Sequence, residues 1–295
     1  MRGKLFEEYV EKLTDWSQGR MLIQLYDNGA LGDDLQILEG VRSGTLNIIN
    51  CVPSYLSPAV PEAALLDIPA LFGGPEAFNA MMDAGYQEVM QEYFSQNGLY
   101  LLSCRAFDMR QMTSNVPVQE PADLEGLQLR TMETEYHVAF WRALGALPIP
   151  MSFNQVWVAL QLGSIQGQEN PLYYLESARL SEVQDYVVLT NHLPMISCYV
   201  MNLDQWEALA PQYQQLLQRF MDEMEAELLE ETQAQNQEIL AFSREQGLEI
   251  LEISESLRGL MQEAREVVVQ MLREDLGDET VDQYLAAVNQ ALGGS

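Results

Sequence analysis

The chain reads Gly126-Leu-Gln-Leu-Arg-Thr-Met132 near its middle, an alternation of apolar and polar residues that is typical of a half-buried strand. A helical pattern follows over residues 135–143, then Leu147-Pro-Ile-Pro-Met151 and a second helical pattern over about 154–162. A strand at 126–132 would carry the guanidinium of Arg130 near its carboxyl end, where open α/β sheets bind ligands. The stretch therefore predicts an α/β fold. For Arg130, the residues alone favour an internal ion pair with Glu133 or Glu169, and a ligand site at this sheet edge is the alternative.

A second polar motif, Gly167-Gln-Glu-Asn-Pro171, is typical of a turn. The residue before a proline is confined to extended geometry, so the amide of Asn170 would be held at a fixed place. An amide both donates and accepts hydrogen bonds, which suits a hydroxyl or a carboxylate oxygen. Gln128 lies two residues before Arg130 and would share its strand face. For Asn170, a purely turn-forming role is the alternative.

Length and charge exclude several classes of function. The 295 residues are 47% hydrophobic and carry a formal net charge of -29, which suits a folded protein of two α/β lobes. Nucleic acid is excluded as a partner because phosphate binding depends on basic clusters. No segment approaches the roughly 18 consecutive apolar residues of a membrane span. An anionic ligand would therefore be held by local arginines and not by the overall field of the protein.

The cysteines and the first residues give two weaker expectations. Cys51, Cys104 and Cys198 lie in apolar or strand-like surroundings, and an odd number cannot form a complete set of disulfides. We expect all three to be reduced core residues, with one pair as the alternative. The chain starts directly into an amphipathic helix without an apolar signal region, so we expect any export signal to lie outside this sequence.

Further elements follow from periodicity along the chain. Leu5, Tyr9 and Leu13 share one face of a predicted helix, 4–17. A strand at 21–26, a helix at 34–44 and a strand at 46–51 together predict a parallel sheet. Near the other end, 211–246 has no internal glycine or proline and predicts one long helix, with a break near Gln233 as the alternative. Its acidic run at 222–227 is interpreted as a solvated helix face.

Several motifs together resemble one family. In order and spacing they are similar to the solute-binding proteins of tripartite ATP-independent periplasmic (TRAP) transporters, the DctP family. The motifs are Asn28-Gly-Ala-Leu-Gly32, Asp67-Ile-Pro-Ala-Leu-Phe72, Arg110-Gln-Met-Thr-Ser-Asn115, Leu127-Gln-Leu-Arg130, Leu144-Gly-Ala-Leu-Pro-Ile-Pro-Met-Ser-Phe153, Val158-Ala-Leu-Gln-Leu-Gly163, Gly167-Gln-Glu-Asn-Pro171, Glu182-Val-Gln184 and Leu189-Thr-Asn-His192. The resemblance covers nearly the whole chain and fades after about residue 250.

The resemblance implies a fold and a mechanism. The expected fold is the two-lobed α/β periplasmic binding protein (type II-like), with a hinge and a long helix that spans both lobes. Lobe I would comprise 1–107 plus 197–235 and lobe II 108–196 plus 236–295, with the ligand cleft between the lobes. Relatives have a strand before the first helix that is absent here, and two family positions are changed to Asp108 and Met109.

The resemblance also assigns roles to residues. It implies that Arg130 is the principal carboxylate-binding arginine and that Arg110 is a second arginine that contacts the ligand. A hinge ion pair of Arg110, with Asp108 as a partner, is the alternative. The remaining ligand-binding residues that we expect are Asn170, Phe153, Gln128 and Tyr174. Core packing is the rival role for Phe153.

The implied function is capture of a small organic acid and its delivery to the membrane subunits of a TRAP transporter, in the periplasm or another extracytoplasmic compartment. Sugar acids, hydroxy or keto acids, small dicarboxylates and aromatic acids all suit the predicted residues. We expect a monomer with no cofactor. We also expect no metal, because His137 and His192 lack metal-ligand spacing. A ligand-sensing module is one alternative. An enzyme on a similar two-lobe frame is disfavoured, because no Ser/His/Asp or Cys/His arrangement and no phosphate-cradling glycine loop is evident.

Overall fold

The structure, a computed structural model, describes residues 2–27 and 29–293. The chain forms two compact units. The first contains the chain up to Ala64, Asn79–Phe107 and Ile196–Thr232, and the second contains Leu65–Phe78, Asp108–Met195 and the chain from Gln233 onward. The second unit includes residues 65–78, a placement that the sequence does not predict, and the predicted lobe limits stay a prediction.

Twelve α-helices are described within these residues. They are α1 (Arg2–Trp16), α2 (Asp34–Arg42), α3 (Pro53–Leu56), α4 (Pro75–Met81), α5 (Gln87–Gln96), α6 (Glu135–Ala143), α7 (Val156–Gln161), α8 (Tyr174–Ser177), α9 (Leu203–Ala208), α10 (Pro211–Glu245), α11 (Glu255–Leu276) and α12 (Asp278–Ala291). A π-helical turn, Met82–Tyr86, joins α4 to α5, and short 3-10 turns occur at Pro61–Asp67, Pro121–Leu124, Phe153–Gln155 and Leu180–Glu182. The described residues contain no helix that is both long and apolar enough to cross a bilayer.

Within the described part of the chain, seven strands complete the mixed α/β fold that the sequence predicts. They are β1 (Ile48–Cys51), β2 (Leu99–Ser114), β3 (Gln128–Thr131), β4 (Leu147–Pro150), β5 (Gly167–Pro171), β6 (Tyr186–Asn202) and β7 (Glu249–Glu252). β2 and β6 contribute residues to both units, as does α10. α10 runs for 35 residues, so the long helix is confirmed and the alternative of a break near Gln233 is wrong.

In the first unit, β1 pairs antiparallel with β6, with Ile48 opposite Met201. The parallel pairing predicted for β1 is therefore wrong. Helix α1 buries the face that the sequence predicts, because Leu5, Tyr9 and Leu13 are all buried. The hydroxyl of Tyr9 donates a hydrogen bond to Glu227 of α10 over 2.8 Å, which fixes the register of the two helices.

Two further features of the first unit differ from expectation. Cys104 and Cys198 form a disulfide, whereas the sequence favours three reduced cysteines; residues 94 positions apart become neighbours only in the folded chain. Glu225 belongs to the acidic run read as a solvated face, but it is buried and hydrogen-bonded to the hydroxyl of Ser103. The run interrupts its acidic residues with apolar ones, and Glu225 falls on the buried side of α10 beside Met224 and Met221.

In the second unit, strands lie in the order β2-β5-β3-β4. β5 is antiparallel to β2 and parallel to β3, while β3 is parallel to β4, and β7 pairs parallel with β6. A Cβ atom at Gly167 would lie 2.7 Å from the backbone oxygen of Thr113, so only glycine allows β5 to approach β2 at this point. Helix α7 and the start of β6 pack on a core that includes Val156, Leu160 and Val187.

Two local predictions are wrong. Gly167–Pro171 is a fully buried strand and not a turn, because its polar side chains are satisfied inside the unit instead of by water. Residues 21–26 form no strand, and Leu22 is 78% exposed. Their β propensity alone does not make a strand, since no strand of the described chain pairs with them. The turn predicted at Asn28 falls partly outside the described residues.

Candidate ligand-binding site

Strand pairing in the second unit places the predicted polar residues on one face. Arg130 lies opposite Gln168 in the parallel pair β3–β5, and Gln111 lies opposite Asn170 in the antiparallel pair β2–β5. Paired residues project to the same side of a sheet, and so do residues two apart on a strand. Arg130 and Asn170 therefore belong to the same face of the sheet. On β5, Asn170 lies two residues nearer the carboxyl end than Gln168, the partner of Arg130.

The side chain of Arg130 is held at its base by the backbone. Only 1% of the residue is exposed, and its Nε donates a hydrogen bond to the carbonyl oxygen of Met151 over 2.9 Å. Its Cζ lies 5.8 Å from the centre of the Phe153 ring, within the range of a cation-π contact. These contacts orient the guanidinium through Nε, the nitrogen that is not at its forked end.

The Phe153 ring beside this arginine belongs to a group of three contacting aromatic rings. The ring centres of Phe153 and Tyr174 are 4.8 Å apart, and those of Tyr173 and Tyr174 are 4.1 Å apart. All three rings are half-buried, and they pack on the core of the second unit. We call Phe153, Tyr173 and Tyr174 the aromatic group. It offers apolar ring surface next to a cation, with Tyr hydroxyls as polar ends.

Arg110 is neutralised inside the protein. Its Nε donates to Oε2 of Glu169 over 2.5 Å, and its Nη2 donates to Oε1 over 2.9 Å and to the backbone oxygen of Glu169 over 2.8 Å. Both residues are buried. This bidentate pair differs from the hinge ion pair with Asp108, which instead accepts hydrogen bonds from the Met109 N–H and from Asn236.

His192 completes the environment of Glu169. Its Nε2 lies 3.0 Å from Oε2 of Glu169, and its Nδ1 lies 2.8 Å from the hydroxyl of Thr190. Burial lowers the pKa of His192 despite the adjacent carboxylate, so the ring is neutral at pH 7 and its Nε2–H donates to Glu169. Burial alone would raise the pKa of Glu169, but Arg110 and His192 outweigh it and hold that pKa below its usual range.

Asn170 links the two arginine environments. Its Oδ1 accepts a hydrogen bond from Nη2 of Arg110 over 3.2 Å, and its Nδ2 donates to Oε1 of Gln168 over 2.7 Å. An amide has two donor protons and two acceptor positions, so each group of Asn170 keeps one for another partner. The amide is therefore presented in one orientation and not as an average of two.

The structure brings five of the six predicted residues into two groups, and the residues within each group are in contact. Arg130 contacts Phe153, which contacts Tyr174, and Arg110 contacts Asn170. Gln128 lies on the face of Arg130 but is exposed at the start of β3, and its backbone N–H and carbonyl both hydrogen-bond to Gln166. For all six residues, contact with a ligand stays a prediction.

Sequence reasoning gave Glu169 only the role of an ion-pair candidate for Arg130. The sequence did contain a signal for the role of Glu169. A carboxylate in the same motif as Asn170 needs a buried cation as its partner. His137 is also buried, which lowers its pKa to about 3, and its Nε2 lies 3.9 Å from Asp67. Across residues 2–27 and 29–293, no group of three or more His, Cys, Asp or Glu side chains is arranged to hold a metal.

Comparison with known proteins places this architecture in a family. The model of the DctP family, bacterial extracellular solute-binding protein family 7, matches residues 2–275. A solute-binding protein from Verminephrobacter eiseniae is 34% identical over 211 residues, which are 71% of this chain and 62% of that protein. The 2,3-diketo-L-gulonate-binding periplasmic protein YiaO of Escherichia coli is 29% identical over 249 residues, 83% of this chain and 75% of that protein.

A solved structure agrees over almost the whole chain. The sugar acid binding protein DctPAm from Advenella mimigardefordensis, in complex with galactonate, superposes with a TM-score of 0.91 at 25% identity. The superposition covers 98% of this chain and 94% of that chain. Fold and matches together define a solute-binding protein. The chain belongs to the DctP family of TRAP transporter solute-binding proteins, and the resemblance predicted from its motifs is confirmed.

Proposed function

We propose that this protein binds a small organic monocarboxylate, with Arg130 as the group that receives the carboxylate. The observation that carries the proposal is the burial of Arg130 on the same sheet face as Asn170, with its Nε already bonded to a backbone carbonyl. Arginine offers two parallel N–H groups that match the two oxygens of a carboxylate. Asn170 would then hydrogen-bond the second oxygen or a neighbouring hydroxyl.

The Arg110–Glu169 pair supports a singly charged ligand. Arg110 was predicted to contact the ligand directly, but its charge is balanced by a carboxylate that stays ionised at neutral pH. A second ligand carboxylate at this place would meet Glu169 as well as Arg110. We therefore assign Arg110 the role of holding Asn170, and a direct contact to a ligand hydroxyl is compatible with its remaining N–H groups.

The aromatic group supports a ligand with an apolar edge or ring face. Phe153, Tyr173 and Tyr174 are only half-buried, and Phe153 lies next to Arg130. Ring stacking or C–H contact on such a surface contributes to affinity without changing charge. A sugar acid in ring form, a branched hydroxy acid and an aromatic acid all fit these requirements better than a short dicarboxylate.

A thermal-shift screen tests the proposal. The panel contains D-galactonate, D-glucuronate, pantoate, orotate and succinate, each over a range of concentrations, with galactonamide as an uncharged control. A ligand that binds only the folded state raises Tm further as its concentration exceeds Kd. We expect at least one monocarboxylate to raise Tm and galactonamide to have no effect. A panel without any shift, or an equal shift with galactonamide, contradicts the carboxylate clamp.

Delivery to the membrane subunits of a TRAP transporter in the periplasm is the second part of the proposal. It rests on family membership, since the E. coli relative is named as a periplasmic binding protein. Uptake into proteoliposomes that contain the membrane subunits of a TRAP transporter tests it. Uptake of labelled acid should require this protein, and uptake that is equal without it contradicts the assignment. Size-exclusion chromatography with light scattering tests the predicted monomer.

Binding without chemical change is the third part. The sulfur of Cys198 is in a disulfide and both ring nitrogens of His192 are hydrogen-bonded, which supports this part over the enzyme alternative. The matched relatives are transport proteins and not enzymes. Mass spectrometry of the bound acid after overnight incubation should recover it unchanged, and a converted product contradicts this part.

A further inference from the structure

A continuous chain of side-chain hydrogen bonds starts at Asn170 and runs away from Arg110. Asn170 Nδ2 donates to Gln168 Oε1 over 2.7 Å, and Gln168 Nε2 donates to the hydroxyl of Thr113 over 2.8 Å. That hydroxyl donates to Gln184 Oε1 over 2.7 Å, and Gln184 Nε2 donates to Asn115 Oδ1 over 2.9 Å. All of these residues lie in the second unit.

The direction of this chain is fixed at both ends by groups that cannot reverse. At the inner end Arg110, which only donates, bonds to Asn170 Oδ1. At the outer end the backbone N–H of Asp185 donates to Asn115 Oδ1 over 3.2 Å, and the backbone oxygen of Val183 accepts from Gln184 Nε2 over 3.1 Å. Amide orientation is ordinarily assigned from the network. Here the orientation of each amide that follows from the Arg110 end agrees with the orientation that follows from the Asn115 end.

The interior members are well shielded from water. Thr113, Gln168 and Gln184 are 2%, 1% and 4% exposed. A buried amide that turned over would place donor against donor at one end and acceptor against acceptor at the other, which leaves buried polar groups unsatisfied. The hydroxyl of Thr113 is the one link that could donate in either direction, and its neighbours remove that freedom.

We propose that Gln168, Thr113 and Gln184 are positioning residues for Asn170. They act together with Arg110 to fix which edge of the Asn170 amide donates and which accepts, and so they determine which hydroxyl or carboxylate pattern next to Arg130 is recognised. The inference rests on the proposed function of Asn170 as a ligand contact. It extends that site by a hydrogen-bond chain that reaches Asn115, which is half-buried at the surface of the unit.

Thr113→Val is the substitution that tests the hydrogen-bond chain most directly, because valine keeps the shape of threonine and removes both hydrogen bonds of the hydroxyl. Thr113→Ser is the matched control that restores the hydroxyl. The first readout needs no ligand: side-chain amide signals of Asn170 and Gln168 in the full-length ¹⁵N-labelled protein, assigned with Asn170→Ser and Gln168→Met. We expect Thr113→Val to shift both amide signals and to speed their exchange with water, and Thr113→Ser to resemble the wild type.

The second readout is affinity for D-galactonate by titration calorimetry. Loss of one oriented hydrogen bond corresponds to a decrease of about 3- to 10-fold in Thr113→Val, with recovery to within about 2-fold in Thr113→Ser. If Thr113→Val does not fold, Gln184→Met breaks the next link and should shift the Asn170 signals in the same way.

The outcomes separate this inference from the proposed function. Asn170 signals that stay unchanged in Thr113→Val or Gln184→Met overturn the positioning role, whatever the protein binds. The same holds if D-galactonate affinity falls equally in Thr113→Val and Thr113→Ser. If Thr113→Val shifts the Asn170 signals but the wild-type protein binds no carboxylate, the positioning role is supported and the proposed function is contradicted instead.

Discussion

His192 shares one oxygen of Glu169 with Arg110: its Nε2 lies 3.0 Å from Oε2, which also accepts the hydrogen bond from Nε of Arg110. All three side chains are buried, and both oxygens of the Glu169 carboxylate accept hydrogen bonds from these neighbours. The pair therefore belongs to the frame of the site, and the stability of the second unit depends on it.

Replacing Glu169 by Gln should destabilise the protein strongly. The substitution keeps the shape of the side chain but leaves the buried charge of Arg110 without a counterion, which costs about 3 to 5 kcal/mol. Urea denaturation at pH 7 measures the loss in the free energy of unfolding. The matched control is Glu182→Gln, which breaks an exposed pair with Arg179 and should cost less than about 1 kcal/mol. Equal losses in the two variants would show that Glu169 does not neutralise Arg110.

Arg130→Ala should abolish tight binding of the acid that stabilises the wild type most in the screen. A buried carboxylate left without its guanidinium costs about 3 to 5 kcal/mol, or more than about a hundredfold in Kd. Calorimetry on folded protein measures the effect, and Arg142→Ala, an exposed arginine of α6, is the charge-matched control. A decrease below about tenfold would remove Arg130 from the proposed role.

Glu225 should make stability fall as pH rises. Burial raises its pKa to about 8, from an unfolded value near 4.5, and outweighs the hydrogen bond from Ser103, which by itself would lower the pKa. The folded state thus holds a proton that the unfolded state has released, so this contribution is complete below about pH 4.5 and is lost as pH rises through about 8.

Glu225→Gln isolates the effect of that proton. The variant should match the wild type near pH 5 and exceed it by about 1 to 3 kcal/mol at pH 8.5 in urea denaturation. A difference between the two proteins that does not change with pH would show that Glu225 does not titrate in this range.

Reduction of the Cys104–Cys198 disulfide should lower Tm. The bond joins residues 94 positions apart, and loss of such a cross-link costs about 2 to 5 kcal/mol. Thermal unfolding with and without a reductant measures the change, and Cys51→Ala should respond to the reductant as the wild type does. Thiol titration of denatured, unreduced protein should count one thiol. A count of three would support the reduced cysteines expected from the sequence.

Helices were the most predictable part of the fold. The predicted helix at 135–143 is observed with the same limits, and the long helix is observed as Pro211–Glu245. Each has a continuous apolar stripe and clear end signals. Strands depend on partners elsewhere in the chain, so Gly167–Pro171 was read as a turn and residues 21–26 as a strand. Polarity and propensity are local properties, whereas strand pairing is not.

The site divides in the same way. The strand that carries Arg130 could be predicted because its alternation of apolar and polar residues is local, whereas the strand that carries Asn170 was predicted as a turn. The partner of Arg110 could not be predicted, since Glu169 is 59 residues away, while Asp108 is only two residues away. The chain from Asn170 to Asn115 combines β2, β5 and the segment before β6, so it exists only after the strands have paired.

The contact between Gly167 and Thr113 has a consequence for protein engineering. Position 167 sets how deeply one strand enters the sheet, and even a single methyl group there would push the two backbones apart. Such a displacement would move the carboxylate of Glu169, two positions after Gly167, away from the guanidinium of Arg110 without altering either charged residue. Libraries intended to change ligand preference should therefore keep this glycine constant and vary the rings around Arg130.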